Sequence, residues 1–304
     1  MKKEHFIHIV ILLLILPLQI SAQVVSSGKA SIRINNKAGQ DLKNYNNPFI
    51  TPDSVTIHPE VNLDLAFPGG KYYALIIGIS NYTDPTVNQL DWPIRDAEMF
   101  YEIITKRYVF DKENVTFLKD AKMADIVGAL DYFANTVRPN DNFLIFFAGH
   151  GIWDAAAEIG FWLPSDARKN SKLAWFRNST LRDYLREIKS KHTLLISDAC
   201  FGGSILKTRG AFNDEIPEAI KRLYGLPSRK AMTSGTLSEV PDQSAFLKYL
   251  IERLKDNNEK YLSSEQLFSS IRLAVINNSN VIPQFGEIKD VGDEGGDFIF
   301  ILRD

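Results

Sequence analysis

Asn142-Phe143-Leu144-Ile145-Phe146-Phe147-Ala148-Gly149-His150-Gly151 carries an unbroken apolar run, Phe143 to Ala148, closed by a histidine between two glycines. A short apolar run bounded by glycine reads as a strand covered on both faces. A second stretch repeats the plan. His192 to Ser197 is apolar in its interior and leads directly into Asp198-Ala199-Cys200, then Phe201-Gly202-Gly203. Outward from this pair, Tyr72 to Ile79, Val115 to Leu118, Ala231 to Ser234 and Phe298 to Leu302 read as further buried strands. Amphipathic stretches separate them: Pro93 to Arg107, Met123 to Val137, Thr180 to Lys189, Ala245 to Lys255 and Ser264 to Asn277. In the last, Leu267, Ile271 and Ala274 fall on one helix face behind a Ser263 or Ser264 cap. Strands alternating with helices predict an α/β fold with a mostly parallel sheet and helices on both faces.

In such a sheet, ligands meet the loops at the carboxyl ends of the strands. If the two opening strands are neighbours, an imidazole and a thiol arrive at one edge. A thiol with an ordinary pKa of about 8.5 attacks as thiolate, so a nearby imidazole that accepts its proton makes a strong nucleophile. Beyond the first 22 residues the chain has three histidines, His58, His150 and His192. His192 starts the strand that Cys200 follows, which puts it roughly 26 Å away at the opposite edge. It is not the base, and its replacement by alanine is expected to be harmless. His58, in Thr56-Ile57-His58-Pro59, reads as a surface turn. His150 is left as partner, and its flanking glycines let backbone N–H groups approach a substrate carbonyl.

Composition narrows the function classes. The 304 residues are 45% hydrophobic and 24% charged, which is globular composition. With 35 basic and 37 acidic residues the net charge is −2, so nothing marks the chain for nucleic acid. The single cysteine excludes an internal disulfide and the paired-cysteine zinc patterns. Lys2 and Lys3 precede an apolar run from Ile9 to Leu16, and Ile20-Ser21-Ala22 ends in small residues, so residues 1–22 read as a cleaved secretory signal. The run is shorter than a membrane span requires. The protein is therefore expected to be secreted or periplasmic, with no membrane attachment after cleavage. Residues 23–70, rich in Asn, Pro and Gly, read as an arm and possible pro-segment, and 71–304 as the working domain. Gly69-Gly70 precedes a strand instead of opening a helix, so it is no phosphate loop.

Tyr73 to Ile79, Leu90 to Ala97, Phe146 to Gly151, Leu195 to Gly203 and Gly296-Asp297-Phe298-Ile299-Phe300 together resemble the caspase-like cysteine peptidases, specifically bacterial relatives of metacaspases and paracaspases. The resemblance spans about residues 72–302, and Cys200 follows His150 by about 50 residues, the caspase spacing. It implies a caspase-haemoglobinase-like three-layer sandwich with a mostly parallel six-stranded sheet. It also implies that Cys200 is the nucleophile, His150 the general base and then acid, and the N–H groups of Gly151 and Cys200 the oxyanion hole.

Where caspases carry Gln two residues before the nucleophile, this chain has Asp198. By resemblance to metacaspases, Asp198 and Asp96 line the primary pocket and select Arg or Lys before the scissile bond, since two carboxylates suit one guanidinium. Ser234 aligns loosely with a pocket wall, and Asp166 reads as structural. No cofactor is implied. Many metacaspases need calcium, but the acids here are not spaced as a coordination loop, and sequence does not set calcium dependence. The expected partners are proteins or peptides with Arg or Lys before the cut. A non-catalytic caspase-fold scaffold, or a thiol hydrolase of non-peptide acyl or amide bonds, are the alternatives. Between Gly203 and Ala231, basic residues at Lys207, Arg209, Lys221, Arg222, Arg229 and Lys230 suggest self-cleavage; a helix from Pro217 to Tyr224 burying Ile220 and Leu223 would hide Lys221 and Arg222, so the cut is expected after Lys207 or Arg209.

Overall fold

The computed structural model describes residues 70–199, 205–207, 217–235 and 242–304. The expected leader, the arm up to residue 69, His58 and Cys200 lie outside the described residues. In chain order, β1 (Tyr72–Gly78), α1 (Pro93–Arg107), β2 (Val115–Lys119), α2 (Met123–Thr136) and β3 (Asn142–Ala148) come first. Then β4 (Gly151–Asp154), β5 (Ile159–Trp162) and β6 (Phe176–Arg177) form a small antiparallel sheet, and α3 (Asn178–Glu187) leads into β7 (His192–Asp198). The remainder carries β8 (Leu206–Lys207), α4 (Pro217–Gly225), β9 (Ser228–Thr233), α5 (Ala245–Asp256), β10 (Tyr261–Ser263), α6 (Ser264–Asn278), β11 (Gln284–Ile288) and β12 (Ile299–Ile301).

The main sheet runs β2-β1-β3-β7-β9-β11, with the two-residue β8 added outside β11. Its first five strands are parallel, and β11 is antiparallel to β9. The mostly parallel α/β sandwich is therefore as expected, but its sixth strand is not. Phe298 to Leu302 was expected in the sheet; its strand β12 pairs instead with β10 in a separate ribbon. The sixth place belongs to Gln284–Ile288, whose mixed sequence gives no continuous apolar run.

The period of the strand sorts the core. Tyr73, Leu75 and Ile77 of β1 pack with Phe143, Ile145 and Phe147 of β3 beneath α2 and α3, around Leu130, Phe133, Leu181 and Leu185. The alternate residues Ala74 and Ile76, with Leu144 and Phe146, pack beneath α1, α5 and α6 against Phe100, Ile104, Leu250 and Phe268. Because successive side chains point to opposite faces and both faces are covered, β1, β3 and β7 are buried throughout and apolar in their interiors. Phe100 stacks on Phe146 with ring centroids 4.5 Å apart, fixing α1 on the sheet.

Helix ends follow from sequence chemistry. Pro93 occupies the first turn of α1, Asp96 follows it, and Lys106 and Arg107 close the last turn, as the helix dipole favours. Ser263 caps α6, accepting from Gln266 N while the Gln266 side chain returns to Ser263 N.

At the sheet edge away from the carboxyl ends, His192 is fully buried. Its Nε2 donates to the Tyr224 carbonyl at 3.1 Å and its Nδ1 lies 2.9 Å from Ser228 Oγ, so the ring ties β7 to β9 and α4. The expectation that its loss is harmless is corrected in one respect: it is remote from chemistry, yet it is part of the packing. The helix expected near Pro217 forms, but it buries Ile220 and Tyr224, while Leu223 is half-buried and Lys221 and Arg222 stay exposed.

Candidate active site

Strand register brings the two signature stretches to one edge. Gly78 of β1 pairs with Ala148 of β3, and Ala148 with Asp198 of β7, so these three residues end the strands in one row. His150 lies two residues past Ala148. Cys200 lies two residues past Asp198 in sequence; it is outside the described residues, whereas Ala199 before it is buried. The neighbouring-strand condition set by the sequence is met.

A short loop orients His150. Gly149 adopts a φ of 157°, and a Cβ there would come within 3.2 Å of the Tyr82 hydroxyl, so glycine permits the close turn. The His150 backbone N–H then donates to Tyr82 Oη at 2.8 Å, and the two rings lie 5.0 Å apart. Burial pushes the Tyr82 phenol up, so it stays protonated. His150 Nε2 is 2.8 Å from the Asn88 carbonyl oxygen. A carbonyl only accepts, so Nε2 carries the proton and Nδ1 is left as the basic nitrogen. The Asn88 loop is itself clasped: Gln89 Oε1 accepts from Tyr82 N at 2.7 Å, and Gln89 Nε2 donates to the Tyr82 carbonyl. Asp120 holds the preceding turn through Ser80 N and Asn81 N.

The group that orients His150 is a main-chain carbonyl, which any residue carries, so residue type alone does not mark it. Gly151 opens β4 opposite Trp162, and that indole stacks on Phe147 at 4.2 Å and donates to Ser197 Oγ at 3.3 Å, packing the small sheet over the edge. Asp166 accepts the Met123 N–H at the start of α2, the structural role expected of it.

The expected pocket acids do come together. Asp96, on the first turn of α1, and Asp198, at the end of β7, are both buried. Burial, then the charges of Asp198 and Asp242, raises the Asp96 carboxyl to about 7. Burial raises Asp198 to about 6, against the pull of the Ser234 and Ser244 hydroxyls. Ser244 Oγ donates to Asp198 Oδ1 at 2.9 Å. Ser234 continues β9 beside Ser197, its N–H donating to the Ser197 carbonyl at 3.1 Å. Its hydroxyl is fully buried next to Asp198 without a hydrogen bond of good geometry, leaving polar capacity at that wall.

Two residues absent from the sequence reading join this cluster, Ser244 and Asp242. Nothing local marked them, since serine and aspartate before a helix look like ordinary caps. Asp96 and Ser244 also line a groove of about 580 Å³ between α1 and α5, walled by Trp92, Met99 and Ile251. Among the described residues no cluster of three His, Cys, Asp or Glu side chains is arranged to hold a metal ion, and no helix is long and apolar enough to cross a membrane.

Comparison with known proteins places this geometry in context. The family model of the caspase domain matches residues 71–289. Metacaspase-1 of Kluyveromyces lactis is 26% identical over 141 residues, 42% of this chain and 31% of that protein. Metacaspase-1 of Saccharomyces cerevisiae is 30% identical over 90 residues, 27% of this chain and 20% of the relative. The chain thus spans less than a third of the length of these relatives. Caspase-1 from Spodoptera frugiperda superposes with a TM-score of 0.52 at 14% identity, over 72% of this chain and 87% of the other. A protein from Geobacter sulfurreducens gives 0.50 at 18% identity, over 75% and 99%. At these identities the two structures speak for the fold alone.

Proposed function

The chain belongs to the caspase-domain family, and from that premise we propose that it is a secreted or periplasmic cysteine endopeptidase that cuts after Arg or Lys. The observation that carries the chemistry is the shared strand row Ala148–Asp198, with His150 oriented through Asn88 so that its basic nitrogen is Nδ1.

In this reading His150 Nδ1 takes the Cys200 proton, and Sγ attacks the scissile carbonyl carbon. The N–H groups of Gly151 and Cys200 hold the oxyanion that forms. As the C–N bond breaks, imidazolium returns its proton to the leaving amine, giving a thioester. Water, deprotonated by the same imidazole, then hydrolyses the thioester and restores the thiol. The Asn88 carbonyl keeps the ring in one tautomer throughout. These proton transfers need only the two side chains.

Specificity is assigned to Asp96 and Asp198 with Ser234 at the wall. Two buried carboxylates raised to about 7 and 6 are poorly solvated and mutually repelling, and a guanidinium or ammonium relieves both costs. The leader-like residues 1–22 support export of the chain. The test is a peptide panel differing only in the residue before the scissile bond. Hydrolysis of the Arg and Lys members and not of the Asp member supports the reading. Comparable rates on Arg and Asp members, or full activity in Cys200→Ala, defeat it.

A further inference from the structure

Resting on the assignment of Asp96 and Asp198 to the primary pocket, we propose that Asp242 and Ser244 form one positioning bridge that sets the spacing of those two carboxylates and hence the affinity for a basic side chain. The two acids stand on separate elements, one on α1 and one at the end of β7. Like charges so placed favour a small outward movement of α1, which would separate them.

The bridge opposes that movement from three consecutive residues. Asp242 takes the Asp91 N–H on both carboxylate oxygens at 3.0 Å, and Oδ1 also accepts the Trp92 N–H at 3.1 Å. Trp92 is the N-cap position of α1 and supplies no side-chain cap of its own, so an acid from across the molecule ends this helix. Two residues on, Ser244 Oγ donates to Asp198 Oδ1 and accepts the Leu247 N–H at 3.2 Å, capping α5. Gln243 between them is exposed and lines the groove between α1 and α5. The start of α1, the end of β7 and the start of α5 are thus joined through residues 242–244.

A plain helix cap would stabilise the fold and leave substrate selection alone. A bridge moves substrate affinity while sparing the chemical step, because Tyr82 and Asn88, although on the same loop as Asp91, are held by separate bonds: Gln89 clasps Tyr82, and the Leu90 N–H donates to the Ser80 carbonyl. Asp242 also adds negative field at Asp96, which otherwise has Arg95 and Glu98 of α1 and Lys248 of α5 along the same groove, with Asp198 of β7 beside it.

The experiment uses the full chain, an Arg peptide and the same peptide with neutral, isosteric citrulline, and iodoacetamide to read the reactivity of Cys200. Charged hydrogen bonds of this kind predict that Asp242→Ala raises KM for the Arg peptide about tenfold with kcat within about twofold. Alkylation of Cys200 should be unchanged. Asp242→Asn keeps an acceptor oxygen for the same two amides and should recover most of the loss. An unchanged KM in Asp242→Ala overturns the bridge, as does a fall in kcat together with alkylation. Should the alanine variant not fold, Asp242→Glu, with the charge displaced by one methylene, should show an intermediate rise in KM, and parental KM there overturns the bridge equally. If the parent protein cleaves Arg and citrulline peptides alike, the pocket assignment itself fails. Preference for Arg in the parent with a parental Asp242→Ala sinks the bridge alone.

Discussion

His150 and the acids of the pocket put different demands on the same sheet edge. The proposed dyad would act as a unit, so Cys200→Ala and His150→Ala should each remove nearly all hydrolysis, and the double variant should lose little more; single-turnover rates on one Arg peptide measure this. Asp198→Asn leaves a substrate cation facing a neutral amide in a buried site, a loss of roughly 3–5 kcal/mol in transition-state binding of Arg peptides. The raised acids also set a pH dependence. In the free enzyme Asp96 and Asp198 gain protons as pH falls through about 7 and 6, so kcat/KM for Arg peptides should drop across that window. Stability runs the other way. Both folded values lie above the ordinary 3.8, so the fold holds these protons more tightly than the unfolded chain does. Their contribution is present in full below about 4 and lost as pH rises through 6 and 7. Asp96→Asn should therefore raise Tm at pH 8, leave it nearly unchanged at pH 4, and weaken cleavage after Arg. A Tm at pH 8 below that of the parent would contradict this account of Asp96.

Elements show which parts of the fold were legible in local sequence. The continuous apolar runs of β1, β3 and β7 announced strands covered on both sides, and the five amphipathic stretches became α1, α2, α3, α5 and α6 within a residue or two at most ends. The sixth strand, β11, went unread because Gln284 to Ile288 is only half-buried and mixes polar with apolar residues. Phe298 to Leu302 has a core strand's composition, but which partner a strand takes is decided by distant sequence, here β10. The site divides the same way: His150 and Asp198 declare themselves by residue type at strand ends, whereas Asn88 acts through a carbonyl and Asp242 across some 150 residues. His192 is the element-scale counterpart. Burial holds its imidazole down at about 3, so its charged form is disfavoured in the fold. Stability from this group is present above the ordinary 6.5 and lost as pH falls from there towards 3. His192→Ala removes the two hydrogen bonds that tie β7 to the Tyr224 carbonyl and the Ser228 hydroxyl, a cost of about 1–3 kcal/mol. Urea unfolding should show that loss at pH 8 while kcat stays at the parental value.

At the scale of the molecule, the described parts of the chain between β7 and β9 are β8 and α4, and β9 begins at Ser228. Within this interval, α4 anchors Ile220 and Tyr224, and Lys207 belongs to β8, a two-residue strand whose partner among the described residues is β11. A helix must unwind before a peptidase accepts it as an extended substrate, whereas so short an edge strand peels at small cost. Self-cleavage is thus expected after Lys207 or Arg209 and not at the exposed but helical Lys221 and Arg222. Intact mass after long incubation should show the nick in the parent and not in Cys200→Ala; equal nicking of both defeats it. The central claim, that His150 makes a thiolate of Cys200, has one direct measurement, because the chain contains a single cysteine and bulk alkylation reports on it alone. The rate of iodoacetamide modification against pH should rise with a midpoint well below the ordinary thiol value of about 8.5 in the parent, and return to about 8.5 in His150→Ala. Superimposable profiles for the two proteins would contradict the claim.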